Sequence, residues 1–294
     1  MAQIYAISDL HVDYAENLQF VRDMPEQKDD YLILAGDVTD NQKIFTEVLQ
    51  ILANKYLKVF FVPGNHDVWI RSSECAYNNS VEKLERVLKI CKMCNVSTEP
   101  EKVKLSENEY VNIVPIYSWY STPEDDNRNS LYVRAKTRRD DDDKHLWMDN
   151  HLTKWPDFKD ARSVSEFFYK MNDKTLKAAY DDAPVISFSH FLPRRDLIRM
   201  TTNEEDLWRM HGRQPNTDYK PTPFNFTRYA GCRRIEDAIR KLKSVVHIYG
   251  HQHRNRDRVI NGIRYVSHCL GNPKERENGL VWGVDNNAKC VWPF

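Results

Sequence analysis

Five short β-rich runs in this chain each stop at residues of metal-ligand type, and that repetition limits the possible folds more than any bulk property does. Residues 3–8 (QIYAIS) end in Asp9-Leu10-His11, 31–35 (YLILA) in Gly36-Asp37, and 58–62 (KVFFV) in Pro63-Gly64-Asn65-His66-Asp67. Residues 184–189 (PVISFS) end in His190, and 244–249 (SVVHIY) in Gly250-His251-Gln252-His253. A turn after a strand needs only Pro and Gly, and solvation of a loop explains polar residues at any one of these places. It does not explain all of them together. If the strands run parallel, their C-terminal ends share one rim of a sheet, where ligands collect in α/β folds.

The intervals between the runs fit βαβ units. Residues 43–54 carry Ile44, Val48, Ile51 and Leu52 at helical spacing; 80–94 carry Val81, Leu84, Leu88 and Cys91; and 232–243 carry Ile235, Ala238, Ile239 and Leu242. Residues 111–117 (VNIVPIY) read as another strand, and 163–180 as a helix. Late runs at 263–268 (IRYVSH), 280–284 (LVWGV) and 288–292 (AKCVW) lie close together. Turns at Asn261-Gly262 and Asp285-Asn286-Asn287 suit antiparallel hairpins there. The expected class is α/β with mixed pairing, in one large domain.

Bulk composition narrows the partners. Lys plus Arg and Asp plus Glu balance at 43 each, so no global field advertises nucleic acid or a membrane surface. The apolar run before Ser8 is too short and too poor in basic residues for a signal peptide, and no stretch approaches the roughly 18 apolar residues of a membrane span. These features predict a soluble, cytoplasmic protein. The cysteines are scattered, and Cys91-x-x-Cys94 lies on a helical stripe without a second pair, so packing is expected there in place of zinc or redox chemistry.

The strand-end donors are carboxylates, imidazoles and one amide, with no thiolate; that set suits Mn, Fe, Zn, Ni or Mg. Asp9-x-His11 and His251-x-His253 place donors on alternate residues, which an extended segment would point to one side. In their order and approximate spacing, D-x-H at 9–11, GD-x-x-D at 36–40, GNHD at 64–67, His190 in SHFLPRRDL and G-H-x-H at 250–253 resemble the signature of the calcineurin-like metallophosphoesterase superfamily. The resemblance implies a four-layer αββα sandwich of two mixed β-sheets flanked by helices, formed by a single domain over 1–294. It implies two divalent ions, manganese favoured, with Asp9, His11 and His253 on one, Asn65, His190 and His251 on the other, and Asp37 bridging. It further implies that His66 faces the substrate with Asp40 as its orienting partner, whereas Asp67 is expected to hydrogen-bond the turn. Hydroxide held between the ions would attack phosphorus, and His66 as imidazolium would assist the leaving oxygen.

The serine/threonine protein phosphatase branch follows GD-x-x-D with Arg-Gly and writes GNHE; here Asn41 and Asp67 occupy the corresponding positions. A phosphodiester or nucleotide-like small substrate is therefore expected ahead of a phosphomonoester or phosphoprotein. The contrasting class is a metal-free scaffold of the same fold, as in the retromer subunit, which predicts eroded ligands; none is missing. Arg194 and Arg195 either reach a phosphate or are simply solvated. Arg254, Arg256 and Arg258 either face the site or line an exposed edge strand, and His247 is expected in the core. An insertion at 119–182 and a loop at 200–230 carry Trp119, Tyr120, Trp147, Trp155, Phe158, Trp208, Phe224 and Phe226, expected either to cap the substrate side or to pack onto the body.

Overall fold

The computed structural model describes residues 1–71, 77–134, 144–180, 182–202, 224–285 and 287–293. Among the expectations above, Trp208, most of the 200–230 loop and Asn286 lie outside these residues.

The first sheet contains β1 (Ile4–Ile7), β2 (Gln27–Leu34), β3 (Tyr56–Phe61) and β4 (Val96–Ser97) in parallel, with Lys289–Trp292 antiparallel beside β1. In the second, β5 (Glu101–Lys104), β6 (Tyr110–Pro115), β7 (Val185–Phe188), β8 (Val246–Tyr249), β9 (Arg256–Ile260) and β10 (Ile263–Ser267) take the order β5-β6-β7-β8-β10-β9. Its four inner strands are parallel and its edges antiparallel. Lys289–Trp292 is therefore β11.

Side-chain alternation builds the layers. Along β2, Leu32 and Leu34 pack with Phe45, Val48 and Leu52 of α2 (Gln42–Lys55) and Val87 and Ile90 of α3 (Ser80–Met93). Tyr31 and Ile33 point the other way, against Ile113, Ile186, Phe188 and Ile248 of the second sheet. The far face of that sheet carries Val114, Val185 and Tyr265 under Phe168 of the helix Val164–Met171 and Ile235, Ala238 and Ile239 of the helix Arg233–Lys241. Helix, sheet, sheet and helix give the four layers expected. Central strands buried on both faces read as near-continuous apolar runs, which is why they were visible in the sequence.

Asn41, which stands where the phosphatase branch has arginine, caps α2: its Oδ1 accepts from Lys43 N and Ile44 N at 3.0 and 3.2 Å. The Asn261-Gly262 turn closes the β9–β10 hairpin with φ of 50° and 79°, both left-handed as a type I′ turn requires. Cys91 is buried in α3 and Cys94 sits at its C-cap, both free thiols. One expected strand is absent: 280–284 forms a loop, with Gly279 before it and Gly283 within it at φ of 68° and 72°, which interrupt extended backbone.

His247 packs in the core between two hydroxyls, with Ser187 Oγ 2.9 Å from Nδ1 and Ser189 Oγ 3.1 Å from Nε2. Burial pushes its pKa down to about 3. Below about pH 6.5 the unfolded chain gains a proton that the folded ring refuses. Its contribution to stability is thus present above that pH and lost as pH falls toward 3, at roughly 1.4 kcal/mol per unit. Urea titrations of metal-free protein at pH 7 and 5 should show wild type losing about 2 kcal/mol more than His247→Asn; equal losses would contradict this account.

Candidate metal centre

The C-terminal ends of β1, β2, β3, β7 and β8 meet on one rim. All seven strand-end donors converge there: Asp9, His11 and His253 in one group, Asp37, His190 and His251 in a second, with Asn65 beside it. The local backbone differs from the extended arrangement expected of D-x-H and H-x-H. Asp9, His11, Asp37, His251 and His253 have φ of 51°, 43°, 55°, 72° and 51°, a left-handed region that costs a non-glycine residue about 1–3 kcal/mol. Successive tight turns, not a strand, aim these donors inward. Such strain persists because neighbours over-determine it. Asp9 N donates to Gly36 O and His11 N to Asp37 O, and Asp9 Oδ1 accepts from His251 N at 2.9 Å.

Asp67 does the bracing expected of it. Its Oδ2 accepts from Asp37 N and Gly64 N at 2.9 and 2.8 Å, and its Oδ1 from Val38 N at 2.9 Å, which locks the turns after β2 and β3 together. Burial and the adjacent Asp37 push this carboxyl up to about 7. Gly36, at φ 83°, allows the close approach; a Cβ there would lie 2.6 Å from His190 Nδ1.

Hydrogen bonds on the outer side of the rings fix what faces inward. His190 Nδ1 donates to Ala35 O at 2.9 Å, His251 Nε2 to Tyr229 O at 3.0 Å, and His253 Nδ1 to Glu275 Oε2 at 2.7 Å. Asn65 Nδ2 donates to Asp149 at 2.9 Å, leaving its oxygen inward. Consequently His190 Nε2 lies 3.2 Å from both Asn65 Oδ1 and His251 Nδ1, and 3.3 Å from Asp37 Oδ2. In the other group His11 Nε2 and His253 Nε2 are 2.9 Å apart, with Asp9 Oδ1 3.4 Å from the latter. So many inward acceptors repel one another unless positive charge sits among them. Against burial, Asp37 pushes His190 up to about 9, and Glu275 and Asp9 raise His253 well above an ordinary imidazole. Protons there supply part of the charge that divalent cations would supply, and the nitrogen–oxygen donor set fits such ions.

His66 sits at the mouth. Its backbone N donates to Asp37 Oδ1 at 2.9 Å, its Nε2 is 3.8 Å from Asp37 Oδ2, and its ring stacks on Trp69 at 3.5 Å. Asp40, expected as its orienting partner, makes a different contact here. The Asp40 carboxylate accepts from Arg71 Nε at 2.5 Å and has no hydrogen bond to His66; the stacked indole of Trp69 holds the ring instead. Arg194 and Arg195 are also spent elsewhere. Arg194 pairs with Asp196 and Glu236, each at 2.8 Å, and Arg195 donates to Leu131 O and Ser130 O, each at 3.1 Å. Of the alternating arginines, Arg254 lines the cleft, with Nη1 on His253 O at 2.7 Å. Arg256 and Arg258 turn away to Ile198 O and Asp196 O respectively.

Two residues unread in the sequence support the centre: Glu275 behind His253 and Asp149 behind Asn65. Glu275 carried a legible signal, since Asn272-Pro273-x-Glu275 is a capping box, and its Oε2 also accepts from Asn272 N. Asp149 carried none. Asp37, Asn65, His251 and His253 floor a cleft of about 510 Å³, with Trp147, Ile198, Phe224, Phe226 and Leu280 on its wall beside Gln252, Arg254 and Glu275. Trp147 stacks on Tyr229 and Phe224 at 4.7 and 5.5 Å. By contrast, Trp119, Trp155 and Phe158 pack inside the insertion around Phe168 and Phe167, and Trp119 meets Phe191 of the body at 5.1 Å.

A family profile described as Calcineurin-like phosphoesterase matches residues 2–255, and the chain belongs to that family. The chain is 24% identical over 281 residues to the [acyl-carrier-protein] phosphodiesterase PptH of Mycobacterium tuberculosis (strain ATCC 25618 / H37Rv), covering 92% of this chain and 78% of that protein. The crystal structure of the phosphopantetheinyl hydrolase PptH from Mycobacterium tuberculosis superposes with a TM-score of 0.76 at 19% identity, covering 100% of this chain and 96% of the other. That match bears on the fold. Family membership brings phosphoester hydrolysis as the class of activity. Among the described residues, no helix is long and apolar enough to cross a membrane.

Proposed function

We propose that this protein is a two-metal phosphodiesterase whose substrate carries an uncharged organic arm. The supporting observation is the pair of inward donor groups around Asp37, opening on a cleft whose wall carries both apolar side chains and Arg254. Asp9, His11 and His253 would hold one divalent ion, Asn65, His190 and His251 the other, and Asp37 would reach both. When bound, the ions supply positive charge for phosphate oxygens and lower the pKa of a water toward neutrality.

The chain's own groups do the rest. Arg254, steadied by carbonyls of His253 and Leu280, adds a fixed cation at the cleft for a phosphate oxygen. His66 presents an N–H to the departing oxygen. Burial pushes its ring below the ordinary imidazole value while Asp37 pulls it up, and we keep it as the proton donor to the leaving oxygen that the sequence implied. Trp147, Ile198, Phe224, Phe226 and Leu280 exclude water around the organic arm, and we read Trp147 of the insertion with Phe224 and Phe226 as the capping part of this wall. The relative named for acyl-carrier-protein phosphodiesterase activity makes a phosphopantetheinyl ester of a carrier protein the natural diester to try first.

The test is hydrolysis of bis(p-nitrophenyl) phosphate and p-nitrophenyl phosphate with Mn, Ni, Mg or Zn, followed by phosphopantetheinylated carrier protein. Higher kcat/KM on the diester, by about tenfold or more, is the expected result for a pocket that uses its second arm. Preference for the monoester, or no hydrolysis with any of these ions, would refute the reading.

A further inference from the structure

We propose that Asp149 is a positioning residue that fixes Asn65 as an oxygen ligand and ties the cleft wall to the metal centre. The inference rests on the reading of Asn65 as a ligand. Asp149 opens the single helical turn Asp149–Leu152 in the insertion, is 1% exposed, and lies 84 residues from Asn65 in sequence.

Its surroundings are unusual for a buried carboxylate, which ordinarily needs a cation. Among the described residues, every donor to it is neutral. Asn65 Nδ2 and Trp69 Nε1 reach Oδ1 at 2.9 and 2.6 Å, Trp147 Nε1 reaches Oδ2 at 2.9 Å, and the Tyr120 hydroxyl also bonds to it. These donors fill the acceptor capacity of a carboxylate. The negative charge that they leave uncompensated stands behind Asn65, opposite the place where cations would gather.

The amide of Asn65 has two orientations of nearly equal shape, and only one turns oxygen toward His190 and His251. An acceptor-only group behind Nδ2 selects that orientation. The same carboxylate anchors Trp69, the plane on which His66 stacks at 3.5 Å, and Trp147, which lines the cleft and meets His251 edge-on at 5.6 Å. One side chain therefore sets a ligand atom, the platform of the leaving-group histidine and a wall of the substrate cleft.

Calorimetric titration of metal-free protein with Mn(II) tests this. Asp149→Asn keeps the outline but replaces one acceptor oxygen by an NH2. It should leave one ion bound as in wild type and weaken the other by about 10–100-fold, with thermal melting little changed and activity recovering at high Mn(II). In Asn65→Asp there is no amide to orient, so adding Asp149→Asn should weaken that ion no further. Wild-type affinity for both ions in Asp149→Asn would overturn the proposal. So would an equal loss of both ions together with the melting transition, or an undiminished penalty on the Asn65→Asp background. Wild type binding fewer than two ions would instead bring down the reading of the centre itself, and this proposal with it.

Discussion

Asp37→Asn should abolish binding of both divalent ions at micromolar concentrations while leaving the protein folded. The side chain stands between the two donor groups, with Oδ1 accepting from His66 N at 2.9 Å and Oδ2 3.3 Å from His190 Nε2. Asparagine can keep the first contact. At the second it offers either the oxygen or the NH2, never both oxygens, so one group loses its shared ligand and the remaining charge no longer offsets two dications. Against burial, His190 holds the Asp37 carboxyl well below the usual carboxylate range. Because even the outer partners of metal ligands cost roughly 10–100-fold in affinity or activity when removed, a shared ligand should cost more than about a hundredfold. Elemental analysis and calorimetric Mn(II) titration read the result directly, and a melting curve reports the fold. Retention of both ions at wild-type affinity would remove Asp37 from the bridging role.

How far the sequence revealed this centre depends on what each residue's signal was. The strands were legible because residues such as Leu32, Ile33 and Leu34 are buried on both faces, and a run of that kind has few other uses. Helix α1 (Ala15–Asp23) was not, since its buried positions are only Asn17 and Val21. Residues 280–284 misled for the opposite reason: the apolar pattern was there, but Gly279 and Gly283 in left-handed conformation turn it into a loop whose Leu280 lines the cleft. That these strand-end residues would meet was legible as well, and the structure brings all seven to one rim. Their backbone was not legible. Alternate spacing implied extended segments, whereas the turns hold five of these donors at positive φ, which no periodicity encodes.

Partnerships between distant segments were the least legible. Asp40 was paired with His66 by resemblance alone, and in the structure its carboxylate meets Arg71. Arg194 and Arg195 follow a strand-end histidine, but Asp196, Glu236 and two backbone carbonyls satisfy them. Asp149 lies in a polar insertion with nothing to distinguish it from its solvated neighbours until the fold brings Asn65, Trp69 and Trp147 around it.

His66→Ala should lower kcat by about 10²–10⁴-fold, the usual worth of a positioned proton donor, with both ions retained. The ring is placed for this role in three ways. It belongs to the same cluster as His11 and Asp37, yet its side chain is 26% exposed, against 0% for His190 and 17% for His253. It faces the cleft, and Trp69 fixes its plane at 3.5 Å. A ligand and a donor to the leaving oxygen make opposite predictions. Loss of a ligand would empty part of the centre and depress all substrates alike. Loss of the donor leaves the metals in place and penalises substrates in proportion to the basicity of the oxygen that departs, because a good leaving group such as p-nitrophenoxide needs little help and an alkoxide needs much. Comparing wild type and His66→Ala on aryl and alkyl diesters, with metal content measured in parallel, separates the two. An alkyl diester turned over by the variant at the wild-type rate would take His66 out of the mechanism, and disappearance of an ion would make it a ligand.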